Sequence, residues 1–179
     1  MRRVAGWALL AGLAALFVLR IVQLGHGGMP KVATASGSPA PDFEARLLDG
    51  GRFHLAAERG HPVVLVFWAS WCGPCMAELP GIERVAQILR KPGHTANLVA
   101  VNTEGDRDAA AGAVQRLGLS MRVALDDGGA SASYHVRTIP HTVIVDAAGK
   151  IAAVMRGMST EDELLRAILE VEERTGASP

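Results

Sequence analysis

The sequence has two cysteines, Cys72 and Cys75, and only two residues separate them. Sulfurs at this spacing can lie on one helical turn, within the distance that a disulfide bond requires. A disulfide between positions so close closes a loop too short to restrain much unfolded-chain entropy, so its use is chemical rather than structural. The pair therefore indicates thiol–disulfide exchange, in which a thiolate attacks the sulfur of a disulfide.

The residues around the cysteines favour a reactive first thiol. A continuous apolar run, Val63–Phe67, precedes the motif Trp71–Cys75, and a helical pattern begins at Pro74. A sulfur at a helix N-terminus faces unpaired backbone N–H groups and the positive end of the helix dipole, which favour thiolate over thiol. We expect Cys72 to be the attacking thiolate and Cys75 to be more buried and more protonated. An inert structural crosslink is the alternative.

Glu78 is the local candidate for proton transfer. It lies three residues after Cys75, on the same side of the predicted helix. A partly buried carboxylate resists ionisation, which suits it to receive the proton that leaves Cys75. A solvated helix charge is the alternative.

Trp71 is expected to line the rim of the site, and Trp68 is expected to pack in or near the core.

His141 raises the question of a metal site. It follows Pro140, and near the sulfurs an imidazole could tune the thiolate or, with two thiolates, complete a soft metal site. We favour a surface or strand histidine without a role, and we predict no metal site.

Composition limits the classes of protein. The 179 residues are 49% apolar and 20% charged, which fits one globular domain with appendages. The formal net charge is zero, and there is no basic cluster of the kind that nucleic-acid binding requires. We therefore expect no nucleic-acid partner.

The first residues predict a membrane anchor, residues 1–24. Arg2 and Arg3 precede an apolar stretch that, at about 1.5 Å per residue, just spans a hydrocarbon core of about 30 Å. The positive charges favour an N-terminus left in the cytoplasm and an exported remainder. A signal peptide cleaved at Ala33–Ala35 is one alternative, and a buried core helix is another.

Residues 25–41, rich in Gly, Ser, Pro and Ala, predict a flexible linker, and the folded domain should occupy residues 42–179. Apolar patterns alternate between strand and helix periods along this domain. The predicted strands are 43–47, 52–55, 62–67, 98–101, 121–125, 142–145 and 151–155, and the predicted helices start at 74, 106, 130 and 160. This alternation with a late hairpin predicts an α/β fold, a mixed central sheet flanked by helices.

The string WASWCGPC, residues 68–75, resembles the active site of the thioredoxin superfamily. The longer string FWASWCGPCMAELP is similar to its membrane-anchored TlpA/ResA-type branch. Three further features agree: Thr138–Pro140, the hairpin before the first core strand, and a helix–strand segment at about residues 106–126. The resemblance implies a thioredoxin-like fold with an N-terminal hairpin and a central helix–strand insertion.

The resemblance also implies roles for individual residues. Pro140 falls on the family's cis-proline, and the residue before it, Ile139, would offer backbone hydrogen bonds to an extended substrate. Trp71, Ile139 and Pro140 are thus expected to bind substrate. Gly73 and Pro74 form the active-site turn, and Glu78 matches a glutamate that is thought to handle protons in this branch. Val66 stands where cytoplasmic thioredoxins have a buried acid.

The function implied is reduction of disulfides in exported proteins, with cytochrome c maturation as one setting. The redox-active disulfide between Cys72 and Cys75 would be the only redox group, without a further cofactor. The family and the compartment imply a membrane thiol-relay protein as electron donor, a bacterial inner-membrane location and a domain facing the periplasm or cell exterior. An oxidant of dithiols and a copper-handling protein of similar fold remain alternatives.

Overall fold

The computed structural model of the protein describes residues 37–176. The predicted anchor and most of the linker lie outside them, and no helix among these residues is long and apolar enough to cross a membrane. The strands are β1 Glu44–Leu47, β2 Arg52–His54, β3 Val63–Trp68, β4 Asn97–Asn102, β5 Arg122–Leu125, β6 His141–Val145 and β7 Ile151–Arg156. The α-helices are α1 Gly73–Leu89, α2 Arg107–Leu117, α3 Gly129–Ser133 and α4 Glu161–Gly176, and Leu55–Glu58 forms a 3-10 helix.

All seven strands form one mixed sheet in the order β2-β1-β5-β4-β3-β6-β7. Strands β3, β4 and β5 run parallel, whereas β6, β7, β1 and β2 pair antiparallel with their neighbours. Every residue of β3 is buried, as its continuous apolar run predicts for a strand covered on both faces. The predicted α/β fold, with its hairpin β1–β2 and its insertion α2–β5, is confirmed.

One face of the sheet packs against α1, α2 and α4. Val64, Val66 and Trp68 of β3 point into this core, where α1 contributes its predicted stripe and α4 adds a second one. The buried stripe residues are Leu79, Ile82, Ala86 and Leu89 of α1 and Leu164, Ile168 and Val171 of α4. Of the residues expected to face inward on α4, Leu165 and Leu169 are only half-buried, because the stripe continues through Val171.

The opposite face of the sheet has its own core. Val63, Leu65 and Phe67 of β3 pack there with Phe53 and Tyr134, under the 3-10 helix and the short α3. Strand β2 ends at His54 rather than Leu55, because Leu55 opens the 3-10 helix. The two faces of β3 thus separate the α1 side of the molecule from the α3 side.

The helices begin where side chains satisfy their free N–H groups. Asp106 caps α2 by accepting from Asp108 N and Ala109 N, both at 3.0 Å. Thr160 and Glu163 form the predicted capping box at the start of α4.

Two carboxylates, the buried Glu83 and the half-buried Glu172, fasten helices to distant loops. Glu83 of α1 accepts from Ser120 N at 2.8 Å, Ser120 Oγ at 2.5 Å and Met121 N at 2.9 Å. Glu172 of α4 accepts from Thr95 N at 2.6 Å and Ala96 N at 2.8 Å. Since each carboxylate satisfies several donors, these contacts fix α1 against the insertion and α4 against the start of β4.

Candidate active site

The two cysteines lie where β3 ends and α1 begins. They form a disulfide with an S–S distance of 2.07 Å and a Cα–Cα distance of 5.2 Å. Cys72 is the N-cap of α1, and its Sγ accepts a hydrogen bond from the backbone N–H of Cys75 at 3.2 Å. Cys75, at 1% exposure, is more deeply buried than Cys72 at 5%. The Cys72 sulfur therefore lies at the helix terminus, and Cys75 is the more buried of the two cysteines, as expected.

A network that the sequence did not reveal holds the loop before Cys72. Ser70 donates to the Glu104 carboxylate from its backbone N at 3.1 Å and its Oγ at 2.7 Å. The buried Asn102 donates from Nδ2 to the same carboxylate at 2.7 Å. Ser70 follows the end of β3 and Glu104 follows the end of β4. Because the carboxyl ends of neighbouring parallel strands meet at one edge of a sheet, polar residues at these positions could have predicted the contact.

The Ile139–Pro140 loop lies against the cysteines. The peptide bond between these residues is cis, as the resemblance implies. The carbonyl oxygen of Ile139 is 3.8 Å from the Sγ of Cys72. Ile139 makes no backbone–backbone hydrogen bond with any described residue, so its N–H and C=O are available to an extended chain. The structure thus places the carbonyl of Ile139, in the loop predicted to bind substrate, beside the Cys72 sulfur.

Trp71 borders a shallow groove beside the disulfide. Its side chain is 73% exposed, which is unusual for a large aromatic residue and places it at the rim as expected. The groove continues from Trp71 past Thr103 to the loop Val136–Ile139. Trp68, by contrast, is fully buried in the core on the α1 side. Gly73 and Pro74, between the cysteines, are exposed at the surface.

Glu78 is buried one turn below Cys75, with 6% of its surface exposed. Its Oε1 accepts from Ser159 N at 2.8 Å and from Ser159 Oγ at 2.6 Å. Burial raises the pKa of Glu78 above its ordinary value, and the two bonds from Ser159 oppose that rise. The alternative of a solvated helix charge is therefore wrong. Val66 is buried among apolar side chains and offers no acid to the site.

His141 is a strand residue, but it is buried rather than on the surface. It pairs in register with Phe67, and the two rings lie edge to face at 6.0 Å. Its side chain therefore lies on the α3 side of the sheet, away from the cysteines. Burial, with a smaller contribution from Arg156, lowers the pKa of His141 to about 4, so the ring is neutral at neutral pH. His141 therefore cannot join the two cysteines as a copper ligand, as the copper-binding alternative would require.

The arrangement can perform thiol–disulfide exchange. One sulfur stands at a helix N-terminus below a loop that can bind an extended chain, and a second sulfur lies within bonding distance of the first. A buried carboxyl with a raised pKa lies one turn away. Within residues 37–176, no three His, Cys, Asp or Glu side chains are grouped to hold a metal ion.

Comparisons with known proteins agree with this geometry. The sequence model of the Redoxin family matches residues 35–169. The thiol-disulfide oxidoreductase ResA of Geobacillus kaustophilus is 31% identical over 137 residues, covering 76% of this chain and 78% of that protein.

Two solved structures have the same fold. One is a putative thiol:disulfide interchange protein DsbE from Chlorobium tepidum, with a TM-score of 0.70, 28% identity, and coverage of 78% of this chain and 99% of that one. The other is a secreted Mycobacterium tuberculosis disulfide oxidoreductase homologous to DsbE of E. coli. It has a TM-score of 0.64, 30% identity, and coverage of 72% of this chain and 95% of that one.

Proposed function

The chain belongs to the Redoxin family and is a thiol–disulfide oxidoreductase of the thioredoxin-like fold, and from this premise we propose that it reduces disulfides of exported proteins. The observation that supports this most strongly is the position of Cys72. Its sulfur caps α1, accepts from Cys75 N, and lies 3.8 Å from the carbonyl of Ile139. A sulfur so placed is stabilised as a thiolate and is adjacent to the backbone that would hold a substrate.

The reaction begins with the reduced enzyme. The Cys72 thiolate attacks one sulfur of the substrate disulfide, a bond forms between enzyme and substrate, and the other substrate sulfur leaves as a thiolate. Cys75 then loses its proton and attacks the Sγ of Cys72. This breaks the mixed disulfide, releases the second substrate thiolate and forms the Cys72–Cys75 disulfide. Two electrons pass from the enzyme dithiol to the substrate.

Glu78 receives the proton of Cys75 in this proposal. It lies one turn below Cys75 on α1 and is buried. Its pKa is raised, so its carboxylate is a stronger base than an exposed one. Val66 leaves the neighbouring strand without an acid at the position where cytoplasmic thioredoxins have one, so we assign the proton to Glu78.

Substrate binding is assigned to Trp71, Ile139 and Pro140. An extended segment around the substrate cysteine would pair with the free N–H and C=O of Ile139, in the manner of strand addition. The exposed ring of Trp71 would cover the segment on the other side of the disulfide. The haem-binding cysteines of an apocytochrome c are one substrate that such a site could accept.

The location and the electron donor complete the proposal. Residues 1–24 would anchor the protein in a bacterial inner membrane with its N-terminus in the cytoplasm, and the domain would face the periplasm or cell exterior. An exported domain has no access to cytosolic reductants, so a membrane protein with a reactive dithiol would regenerate the reduced form. No cofactor besides the disulfide is required.

Two cysteine variants of the full-length protein test the reaction. Cys72→Ser should lose the reduction of a protein disulfide such as that of insulin, because the attacking sulfur is gone. Cys75→Ser should also lose turnover but accumulate a mixed disulfide with substrate through Cys72, visible as a reducible adduct on a gel. Full activity of Cys72→Ser, or adducts in Cys72→Ser and none in Cys75→Ser, would contradict the assignment of the two roles.

A further inference from the structure

The loop between β7 and α4 connects the two halves of the site. Gly157 N donates to the carbonyl oxygen of Pro140 at 2.9 Å, which ties the loop to the cis-proline segment. Two residues later, Ser159 donates to Glu78 from both its backbone N and its Oγ. Ser159 is itself buried, with 8% of its surface exposed. Three successive residues therefore span from the substrate-binding loop to the acid beneath the cysteines.

The two oxygens of the Glu78 carboxyl have different surroundings. Both donors of Ser159 converge on Oε1, at 2.8 and 2.6 Å. Oε2 accepts no hydrogen bond from a described residue. Among these residues, the only side-chain polar atom that is both sealed from solvent and without a partner is Nε1 of Trp68, so Oε2 of Glu78 keeps contact with solvent. One oxygen is thus held by the loop, while the other has access to solvent and can exchange a proton.

We infer that Ser159 is a positioning residue for proton transfer, which holds Glu78 by Oε1 and leaves Oε2 to accept the proton of Cys75. The inference rests on the proposed role of Glu78. It adds that the hydroxyl of Ser159, 81 positions away in the chain, controls how readily the acid ionises.

Electrostatics gives the direction of this control. A hydroxyl that donates to a carboxylate favours its charged form, so Ser159 opposes the rise that burial imposes on the pKa of Glu78. Charged side chains on the packed elements include Arg156 at the end of β7 and Glu161 of α4, which pairs with Arg84 of α1. Glu163 of α4 is held at the helix start by Thr160. The pKa shift of Glu78 comes from burial and from Ser159 rather than from these groups.

The test separates the two chemical steps with an aromatic disulfide, 5,5′-dithiobis(2-nitrobenzoate), mixed with excess reduced full-length protein. The first coloured thiolate is released when Cys72 attacks, and the second when Cys75 resolves the mixed disulfide. The rate of each phase is measured against pH for the wild type, Glu78→Gln, Ser159→Ala and Ser159→Thr. Ser120→Ala is the matched control, since Ser120 also donates N and Oγ to a buried glutamate of α1, Glu83.

The wild type should show an inflection in the second phase that Glu78→Gln lacks. Ser159→Ala should move this inflection upward by about 0.5 to 1 pH unit and slow the second phase about three- to tenfold below it, with the first phase unchanged. Ser159→Thr should restore the wild-type profile, and Ser120→Ala should leave it in place. Ser159→Gly provides the same loss of hydroxyl if Ser159→Ala does not fold.

The possible outcomes separate the inference from the proposed function. If Glu78→Gln removes the inflection and Ser159→Ala leaves it at the wild-type pH, Ser159 is only a structural contact and the inference is wrong. If Glu78→Gln retains the inflection, the role of Glu78 itself is wrong. Equal shifts in Ser159→Ala and Ser120→Ala would also contradict the inference, because loosening of α1 would then explain both.

Discussion

The chemistry at Cys72 depends on a few contacts of one side chain. Cys72 lies in the loop after β3, and its sulfur caps α1 and accepts the N–H of Cys75 at 3.2 Å. The unpaired N–H groups of a helix terminus stabilise negative charge, and the effect is confined to the first turn. Cys75 lies within that turn but is more enclosed. In the proposed mechanism, this difference in surroundings makes Cys72 the attacking residue and Cys75 the resolving one.

Trp71 provides a prediction at the same scale. Trp71→Ala removes a ring that is 73% exposed, so the free energy of unfolding should change by less than about 0.5 kcal/mol. The KM for a protein disulfide should rise about three- to thirtyfold, because a tryptophan that becomes covered by a bound partner contributes strongly to binding. Steady-state reduction of a protein substrate measures this. The small aromatic disulfide is the control, and an equal loss with both substrates would contradict a docking role.

At the scale of elements, carboxylates that accept several hydrogen bonds fix the helices around the site. Glu83 fastens α1 to the loop before β5, and the acceptance of several hydrogen bonds lowers its pKa to about 2, against the opposing effect of burial. Burial is likewise overcome at Glu172 on α4, where a hydrogen bond with His94 and those donated by Thr95 N and Ala96 N lower the pKa of the carboxyl. Glu78, with only Ser159 as a partner, keeps a raised pKa. The same residue type is structural where donors are many and available for chemistry where they are few.

Glu83 should make stability depend on acid pH. Because its folded pKa of about 2 lies below the unfolded value of 4.5, its contribution is complete above pH 4.5 and is lost as pH falls toward 2. Glu83→Gln should therefore cost about 1 to 3 kcal/mol of unfolding free energy at pH 7, and the difference from wild type should shrink between these limits. Thermal unfolding measured from pH 7 to pH 2.5 checks this.

The control for that prediction is an exposed carboxylate. Glu44→Gln removes one that pairs with Arg52 at 2.9 Å on the surface, so the unfolding free energy should change by less than about 1 kcal/mol. If the difference in unfolding free energy between wild type and Glu83→Gln stays constant from pH 7 to pH 2.5, folding does not stabilise the charged form of Glu83, and the prediction is wrong.

At the scale of the whole molecule, topology assembles the site. Parallel β3 and β4 end at the same edge, so the cysteine loop and Glu104 meet there. Because β6 runs antiparallel to β3, its first residue, His141, lies beside Phe67 near the end of β3. The loop that precedes β6 is consequently placed against Cys72. A mixed sheet in which β3 lies between β4 and β6 is what brings residues 72 and 139 within contact.

Much of this could be predicted from the sequence, since the strands and helices follow from apolar periodicity and the cysteine site from its strand–motif–helix context. The contacts Ser70–Glu104 and Ser159–Glu78 could not, because they join positions 34 and 81 residues apart whose proximity depends on the completed sheet. The burial of His141 was also missed. The face on which that residue lies depends on the register of β6 against β3, which no local pattern specifies.

The most direct test concerns the charge state of Cys72. In the reduced Cys75→Ser variant, the rate of alkylation by iodoacetamide is followed against pH, first for the folded protein and then for the same variant unfolded in guanidinium chloride. Because the thiolate is the reacting species, the midpoint reports its formation. We predict a midpoint at clearly lower pH in the folded protein. Coincident midpoints would show that the start of α1 does not stabilise the thiolate and would contradict the proposed mechanism.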